Sequence, residues 1–510
     1  MTGLSVMQAQ TIRGRTAIYA LTAVLLSGTA LVSPATAQQK PPVAAPSGGQ
    51  PVAAPSGSQP VAAPQGAQPR SLAEALALSY SSNPTLLSER ANLRATDENV
   101  PAALSGWRPT VSVSTSAGFA TDERITHTTT PPRNVRQMID RGLNSETITA
   151  TQPLYRGGAT RAGTNRAENQ VMAGRARLYA QEQTTLQSVV TAYVNVIQST
   201  QVLALNVNNE QVLGRQLQAT NDRFRVGELT RTDVAQAEAA QASATATRQT
   251  AEGNLQTARA TFRDAVGAMP GKLVEPQPLR LPTRTLEQAQ SLARSNNPTV
   301  VAALFDDAAA KDNFDLQYAR LMPTVSLQAQ YGRNEDTTTK NLTTKTGQIT
   351  AVLSLPIYQG GAEYAAIRQA RQAQQQTRQR LEAARSTAVQ QVTSAWATYG
   401  AAKAAIESTR QQIKANEIAL EGVQREALVG SRTTLDVLNA EQALLNSRVQ
   451  LIQNLGAMVI TSHQVAAATG RLTARDMNLN VPLYDEKAYY TAVRNRWIGT
   501  GDYATDQPAR

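Results

Sequence analysis

Residues 109–119 read PTVSVSTSAGF, and residues 323–331 read PTVSLQAQY. In both stretches apolar residues alternate with small polar ones, and this period of two residues predicts β-strands with one apolar and one polar face. A second alternating run follows each of them, so that each half of the chain predicts one hairpin. The four predicted strands cover about 109–120, 146–155, 323–332 and 347–358.

The rest of the chain repeats this arrangement once. Pro109 and Pro323 are 214 residues apart, whereas the motifs PLYRGG at 153–158 and PIYQGG at 356–361 are 203 residues apart, so one insertion or deletion falls between the strands. A repeat of about 200 residues is too long for a solenoid. In each motif the proline ends a strand and two glycines permit a tight turn into a helix. The six residues of these strand-to-helix turns are Pro153, Gly157, Gly158, Pro356, Gly360 and Gly361.

The length of the strands favours a membrane setting. Runs of about 10 to 12 residues are what a tilted strand needs to cross a bilayer, and long polar loops at 121–146 and 333–347 resemble the outer loops of barrels. Four strands cannot close a barrel, and open edges in lipid leave backbone groups without partners. Several chains would therefore have to share one barrel. The alternative is a half-buried hairpin packed on helices in a soluble protein.

Helical sequence fills the remainder of both halves. After each glycine pair, some 65 residues without proline predict a helix of about 100 Å, and a Val-Gly break separates it from a shorter return helix. If the return helix and the helix that precedes each hairpin are stacked end to end, their combined length nearly equals that of the long helix. This arithmetic predicts a long helical tube with a belt near Leu72–Ser82 and Leu286–Asn296. The helices are expected at about 85–106, 159–224, 230–267, 299–321, 362–428 and 433–469.

The N-terminal part of the sequence is predicted to lie outside the fold. Residues 1–37 have a basic start, an apolar core and the small-residue site Ala35-Thr36-Ala37, which are typical of a secretory signal peptide. Residues 38–70 are rich in proline, alanine and glycine and predict a disordered, extended linker. The remaining predicted segments are a first repeat at 71–270, an inter-repeat linker at 271–284, a second repeat at 285–470 and a C-terminal tail at 471–510.

Composition excludes several functions. The absence of cysteine excludes disulfides, thiolate metal sites and acylation of an N-terminal cysteine. The net charge of +11 is spread along helices without aromatic platforms, which argues against a nucleic-acid partner. His127 and His463 are isolated, and no metal cluster, nucleophile elbow or phosphate loop is present in the sequence. We therefore expect neither an enzyme nor a bound cofactor or metal.

The segments that recur in both halves resemble the TolC family of outer-membrane efflux and secretion channels. The resemblance covers Ser71 to about Gly470. The residues that carry it are LAEAL at 72–76, Asn83-Pro84, Asn297-Pro298, both PxYxGG turns, FRVG at 224–227 and LVGSRTTLDVL at 428–438. The tail, with VPLYDE at 481–486, Tyr489-Tyr490 and residues 494–497, is similar to the branch that serves type I secretion.

The resemblance implies a mainly α-helical protein with membrane β-strands, built from two tandem repeats. Three copies would share a 12-stranded β-barrel in the lipid of the outer membrane of a Gram-negative bacterium, and their helices would continue as a tunnel in the periplasm. A periplasmic adaptor (membrane fusion protein) and an inner-membrane transporter, ABC-type or proton-driven, would dock at the tips and open them. The residues expected to form these docking tips are Val226, Gly227, Val429, Gly430 and Ser431.

The resemblance also implies a periplasmic gate. Arg432 and Asp436 stand where the family has a constricting arginine and an acidic ring, and Asp233 matches an acidic position in the first tip. Asn439 replaces a second aspartate of the prototype, and Ala427 replaces a tyrosine. Both aspartates equally suit helix capping, because each lies in the first turn after a glycine break. The alternative function for the whole chain is an exported periplasmic coiled-coil adaptor without a pore.

Overall fold

The computed structural model describes residues 68–127, 129–131, 134–501 and 503. All of them belong to one compact unit, Val61–Arg510. The predicted signal peptide and all but the last three residues of the predicted linker lie outside the described residues.

Each half of the described chain has the same order of elements: two or three short helices, two strands, one long helix and one return helix. In the first half these are α1 (Leu72–Ser82), α2 (Pro84–Asp97), α3 (Asn99–Leu104), β1 (Thr110–His127), β2 (Asn134–Arg156), α4 (Ala159–Arg225) and α5 (Arg231–Val266). In the second half they are α6 (Leu286–Asn296), α7 (Pro298–Tyr318), β3 (Thr324–Glu335), β4 (Thr343–Ser354), α8 (Ala362–Leu428) and α9 (Thr434–Ala468). A short helix, α10 (Ala488–Val493), lies in the tail.

The four strands form one antiparallel sheet in the order β1-β2-β3-β4. Our prediction of a long polar loop at 121–146 is wrong, because β1 continues to His127 and β2 begins at Asn134. The sequence pattern does not predict this extension, because polar and apolar residues no longer alternate regularly there. Cross-strand pairs hold the ribbon instead: the Thr121 hydroxyl donates to Asp140 over 2.7 Å, and Arg141 lies 2.5 Å from Asp122.

The end of the fourth strand also differs from the prediction. β4 covers Thr343–Ser354 rather than 347–358, and β3 extends to Glu335. Pro356 has no N–H to donate to a ladder, and in the described part of the chain β4 has a neighbouring strand on one side only. The equivalent Pro153 stays within β2, because β3 pairs with it there around a bulge between Pro153 and Tyr155.

The long helices α4 and α8 contain 67 residues each, and α5 and α9 run back along them. By length and composition α4 holds an 18-residue window that is apolar enough to cross a membrane. A core helix passes the same test, and the middle of α4 is such a helix. Its side chains Leu186, Val189 and Tyr193 are fully buried in the largest apolar cluster, against α1 and α5.

The duplicated Asn-Pro motifs join helices end to end, a role that the sequence did not reveal. Asn297 caps α7 by accepting from the Thr299 N–H (2.9 Å), and its side-chain amide donates to the Ala468 carbonyl at the end of α9 (3.0 Å). Asn83 likewise caps α2 and donates to the Ala265 carbonyl at the end of α5 (3.4 Å). Proline at the first helical position suits both caps.

These joints place one return helix and one short helix in line beside each long helix, as the length arithmetic predicts. The belt helix α1 packs on the middle of α4, and α6 packs on α8. The Tyr193 hydroxyl lies 2.9 Å from the Arg70 carbonyl and 2.7 Å from the Val274 carbonyl, so one buried tyrosine anchors the entry to α1 and the segment between the repeats.

Candidate functional sites: the sheet faces and the helical tips

The register of the sheet assembles one continuous apolar face. Residues directly opposite each other in paired strands share a face, so one row across the sheet contains Val111, Ala150, Ala329 and Ile349. Val111 and Ile349 are about 70% exposed, and Phe119 on the same face of β1 is 85% exposed. A sheet with such a face in the isolated chain needs a covering of lipid or of other apolar groups.

The other face is mostly polar and almost free of charge near the helical body, with Val352 on β4 as an apolar exception. The row displaced by one residue contains Ser112, Thr149, Gln330 and Gln348, and the Gln348 amide donates to the Gln330 carbonyl oxygen over 2.9 Å. Small hydroxyl and amide groups of this kind suit the wall of a water-filled lumen.

On β2, β3 and β4 the apolar face ends at a row of charged side chains, whereas on β1 it continues past Thr115, the residue opposite Glu146, to Phe119. Two residues beyond Ile148 and Tyr331, the same face presents Glu146, Arg333 and Lys345. From Val325 to Tyr331 the apolar band of β3 measures about 20 Å along the strand, at about 3.4 Å per residue. On β1 the band from Val111 to Phe119 measures about 27 Å by the same rule. In strands tilted by about 40°, these lengths correspond to heights of about 16 and 21 Å, somewhat below the apolar band of about 25 Å in outer-membrane barrels.

The strand-to-helix turns lie at the base of this sheet. Gly157, Gly158, Gly360 and Gly361 all have positive φ angles, between 62° and 87°. At Gly157 a β-carbon would lie 2.6 Å from the Ala319 carbonyl oxygen, so both the backbone angle and the close approach require glycine. Gly158 and Gly361 are the N-caps of α4 and α8, and thus each long helix starts directly beneath the sheet.

The far ends of the helical hairpins are built as two copies of one turn. Gly227 and Gly430 both have φ of 81°, and each is followed by a capping box. In the second tip the Asp436 carboxylate accepts from the Thr433 N–H at 3.0 Å, while the Thr433 hydroxyl accepts from the Asp436 N–H at 3.3 Å. The Thr230 N–H reaches Asp233 over the same 3.0 Å. Both aspartates are therefore the N3 members of capping boxes, in which Thr230 and Thr433 are the N-caps.

These caps determine the charge state of the tips. The hydrogen bond from the Thr433 backbone lowers the pKa of Asp436, and the bond from the Thr230 hydroxyl lowers the pKa of Asp233. Both carboxylates are thus charged at neutral pH. The expectation that mutual repulsion raises the pKa of Asp436 applies to three copies on one axis and stays a prediction.

An ion pair connects the two sides of the turn at each tip, and the acidic and basic residues exchange sides between the two repeats. Arg432, after the turn, bonds to Glu426 at the end of α8 over 2.8 Å, and this bond raises the arginine pKa. In the first tip Arg223, at the helix end, bonds to Glu228 after the turn over 3.0 Å. Glu426 was not identified from the sequence. The signal was available, because residues of opposite charge stand on the two sides of each Val-Gly break and so indicate an ion pair across the turn.

The tips also expose apolar side chains. Val226 is 73% exposed, and Leu428 and Val429 are each 80% exposed. Asn439 lies on the exposed side of α9, one turn beyond Asp436, so the two side chains share a helix face. The residues predicted for docking and gating thus lie together at one end of the molecule, while the strand-to-helix turns lie at the other.

Comparison with known proteins agrees with this architecture. The family described as outer membrane efflux protein matches residues 75–268 and 289–471, one segment in each half of the chain. The outer membrane efflux protein BepC of Brucella suis is 35% identical over 434 residues, covering 84% of this chain and 91% of BepC. The outer membrane protein TolC of Vibrio cholerae is 27% identical, covering 81% of this chain and 94% of TolC.

A solved structure has the same fold. The crystal structure of the CmeC outer membrane channel of Campylobacter jejuni superposes with a TM-score of 0.69 at 14% identity, over 83% of this chain and 89% of that chain. The predicted class, a mainly helical chain of TolC type that carries a four-stranded antiparallel sheet, is confirmed.

Proposed function

This chain belongs to the outer membrane efflux protein family, and we propose that three copies of it form one exit duct across the outer membrane and the periplasm. The observation that carries the proposal is the open four-stranded sheet. One of its faces is apolar and exposed, and among the described residues its outer strands β1 and β4 have no second neighbour. Unpaired strand edges are not tolerated in lipid, and pairing β1 with β4 of the next copy closes a barrel of twelve strands.

The two faces of the sheet then define the wall of the duct. The apolar rows face lipid, and the Ser, Thr and Gln rows line the channel. Each long helix leaves the sheet at a glycine pair and continues the wall into the periplasm. Such a duct performs no chemistry on its substrate, in keeping with a family of transport proteins rather than enzymes. Its function is to let substrates pass, as in efflux or type I secretion.

The helical tips are the proposed entrance. The exposed apolar residues Val226, Leu428 and Val429 supply the docking surface for a periplasmic adaptor, and an inner-membrane transporter delivers the substrate there. Around the three-fold axis, Asp436 would form a ring of negative charge in the second tips, and Arg432 would tighten the constriction. Asn439, next to Asp436 on the helix face, adds no charge, so the ring carries a single layer of carboxylates.

A periplasmic adaptor without a pore is the weaker alternative. That function requires the apolar face of the sheet to pack on protein, but within the described chain most of this face is exposed, and its base contacts the short segment Ser105–Trp107.

Reconstitution separates the two functions. Purified protein is expected in the outer-membrane fraction, as a trimer in detergent that migrates differently before and after heating, and it should conduct ions in planar bilayers. A stable monomer in buffer without detergent, and silent bilayers, would contradict the proposal. As a control for adventitious pores, a Phe119→Glu variant, with a charge on the apolar face, should assemble poorly in the bilayer.

A further inference from the structure

The C-terminal tail runs from the belt back to the base of the sheet. It begins beside Glu182, whose carboxylate accepts from the Ala474 N–H over 2.6 Å in the core. Further along, the Tyr484 N–H donates to the Tyr80 hydroxyl at 3.1 Å, and Arg90 stacks on both tyrosine rings. The tail is thus a fixed strap on the outside of α1 and α2.

Beyond the belt the strap is fastened to the part of the body nearest the sheet. Tyr490 packs on the cluster of Val100, Ala167 and Val171, and the Tyr489 hydroxyl donates to Glu98 over 2.8 Å. Arg494 bonds over 2.9 Å to Glu168, which lies only nine residues into α4.

The last fastening lies at the start of the first strand. Arg108, two residues before β1, donates to the Arg496 carbonyl over 2.6 Å and stacks on the Trp497 ring at 5.1 Å. The preceding carbonyl, of Trp107, accepts from Gln152 over 2.9 Å. Gln152 is opposite Leu327 on the apolar face of the sheet, so the segment meets the sheet on its apolar side.

At this point the strap presents apolar side chains to its surroundings. Trp497 is 66% exposed and Ile498 is 91% exposed. Trp107, at 46%, and the residues Ile357 and Tyr358 that follow β4, at 88% and 78%, lie at the same base of the sheet. Amphipathic aromatic rings at the edge of an apolar band are typical of the interface between membrane and water, and arginines among them suit the phosphates of lipid headgroups.

We propose that Trp497 and Ile498 insert into the headgroup layer of the periplasmic leaflet of the outer membrane, so that the tail is a peripheral membrane anchor. Arg108 and Arg496 would contact the phosphates of anionic phospholipids there. The inference rests on the proposed function, because the base of the sheet marks this leaflet only when the sheet lies in lipid. It assigns the tail a lipid contact outside the barrel wall.

Single-tryptophan variants test the anchor directly. The sequence has three tryptophans, Trp107, Trp396 and Trp497, and each can be kept alone with the other two changed to phenylalanine. In liposomes of phosphatidylglycerol and phosphatidylcholine that contain brominated acyl chains near the headgroup, Trp497 emission should fall about twofold or more, as for an interfacial ring. Trp396, in the middle of α8, should keep its emission and serves as the matched control.

A fourth variant separates failure of the anchor from failure of the duct. Phe119→Trp, with all three native tryptophans changed to phenylalanine, reports insertion of the sheet from its most exposed lipid-face position. Quenching of this probe without quenching of Trp497 would overturn the anchor alone and indicate that a neighbouring subunit covers the tail. Absence of quenching at both would overturn the anchor together with the proposed function. Far-ultraviolet circular dichroism confirms that each variant keeps its helical content.

Discussion

The joint between α7 and α9 depends on one side chain, and the consequence of removing it can be calculated. Asn297 is 6% exposed, caps α7, and donates to Ala468 at the end of α9. In Asn297→Ala the loss of the N-cap costs about 1 kcal/mol. Loss of the buried hydrogen bond, which leaves the Ala468 carbonyl without this donor, adds about 1–2 kcal/mol. We therefore expect the free energy of unfolding to fall by about 2–3 kcal/mol.

The first repeat provides the matched control. The Asn83 amide is more exposed and lies 3.4 Å from the Ala265 carbonyl, which also accepts from the Ser79 hydroxyl at 2.9 Å. Asn83→Ala should therefore lose little beyond its cap, about 1 kcal/mol.

Guanidinium denaturation in detergent, followed by circular dichroism at 222 nm, gives the order of midpoints. Equal losses at Asn83 and Asn297, or a larger loss at Asn83, would refute the argument that the bridging hydrogen bond matters more than the cap.

Three further predictions concern the tips and one buried acid. Asp436→Asn keeps a side-chain oxygen that can accept the capping hydrogen bonds but removes the negative charge, so reversal potentials in a salt gradient should show reduced cation selectivity. Asp233→Asn makes the same change in the other tip and should reduce cation selectivity less. Equal effects of the two variants would contradict a ring at Asp436. Arg432→Ala should raise basal conductance more than Glu426→Gln does, although both variants break the same ion pair (2.8 Å); equal conductances would show that the arginine acts only within its own hairpin. Burial raises the pKa of Asp97 to about 7, so the native state binds a proton that the unfolded state releases near pH 4, and stability is lost as the pH rises toward 7. Asp97→Asn should therefore raise the thermal midpoint at about pH 8 and change it little at about pH 4, and a gain of the same size at both pH values would contradict the shift.

Repetition made the architecture predictable. The glycine pairs, the Val-Gly breaks and the two-residue alternation occur twice, so each copy supports the interpretation of the other. The long helices α4 and α8 end within a few residues of the predicted bounds because glycines with positive φ fix both ends. The belt position followed from helix lengths alone.

Features that depend on pairing between distant residues were not predictable. The extension of β1 and β2 has polar residues on both faces, and its strand character comes from partners such as Asp122 and Arg141 rather than from local pattern. The bridging role of Asn297 could not be predicted, because the sequence does not show that α9 ends beside this residue. The Arg432–Glu426 pair crosses a turn whose geometry Gly430 sets, and the course of the tail depends on single contacts such as Arg108 with Trp497.

The central claim is that β1 of one chain pairs with β4 of the next until the ring closes, and engineered cysteines test it most directly. The natural sequence has no cysteine, so Val113→Cys on β1 can be combined in turn with Ile349→Cys, Ala351→Cys or Leu353→Cys on the same face of β4. After oxidation in outer-membrane vesicles, we predict that at least one pair yields covalent species of two and three chains and none larger. Monomers for all three pairs, or a ladder that continues beyond three chains, would contradict the shared barrel.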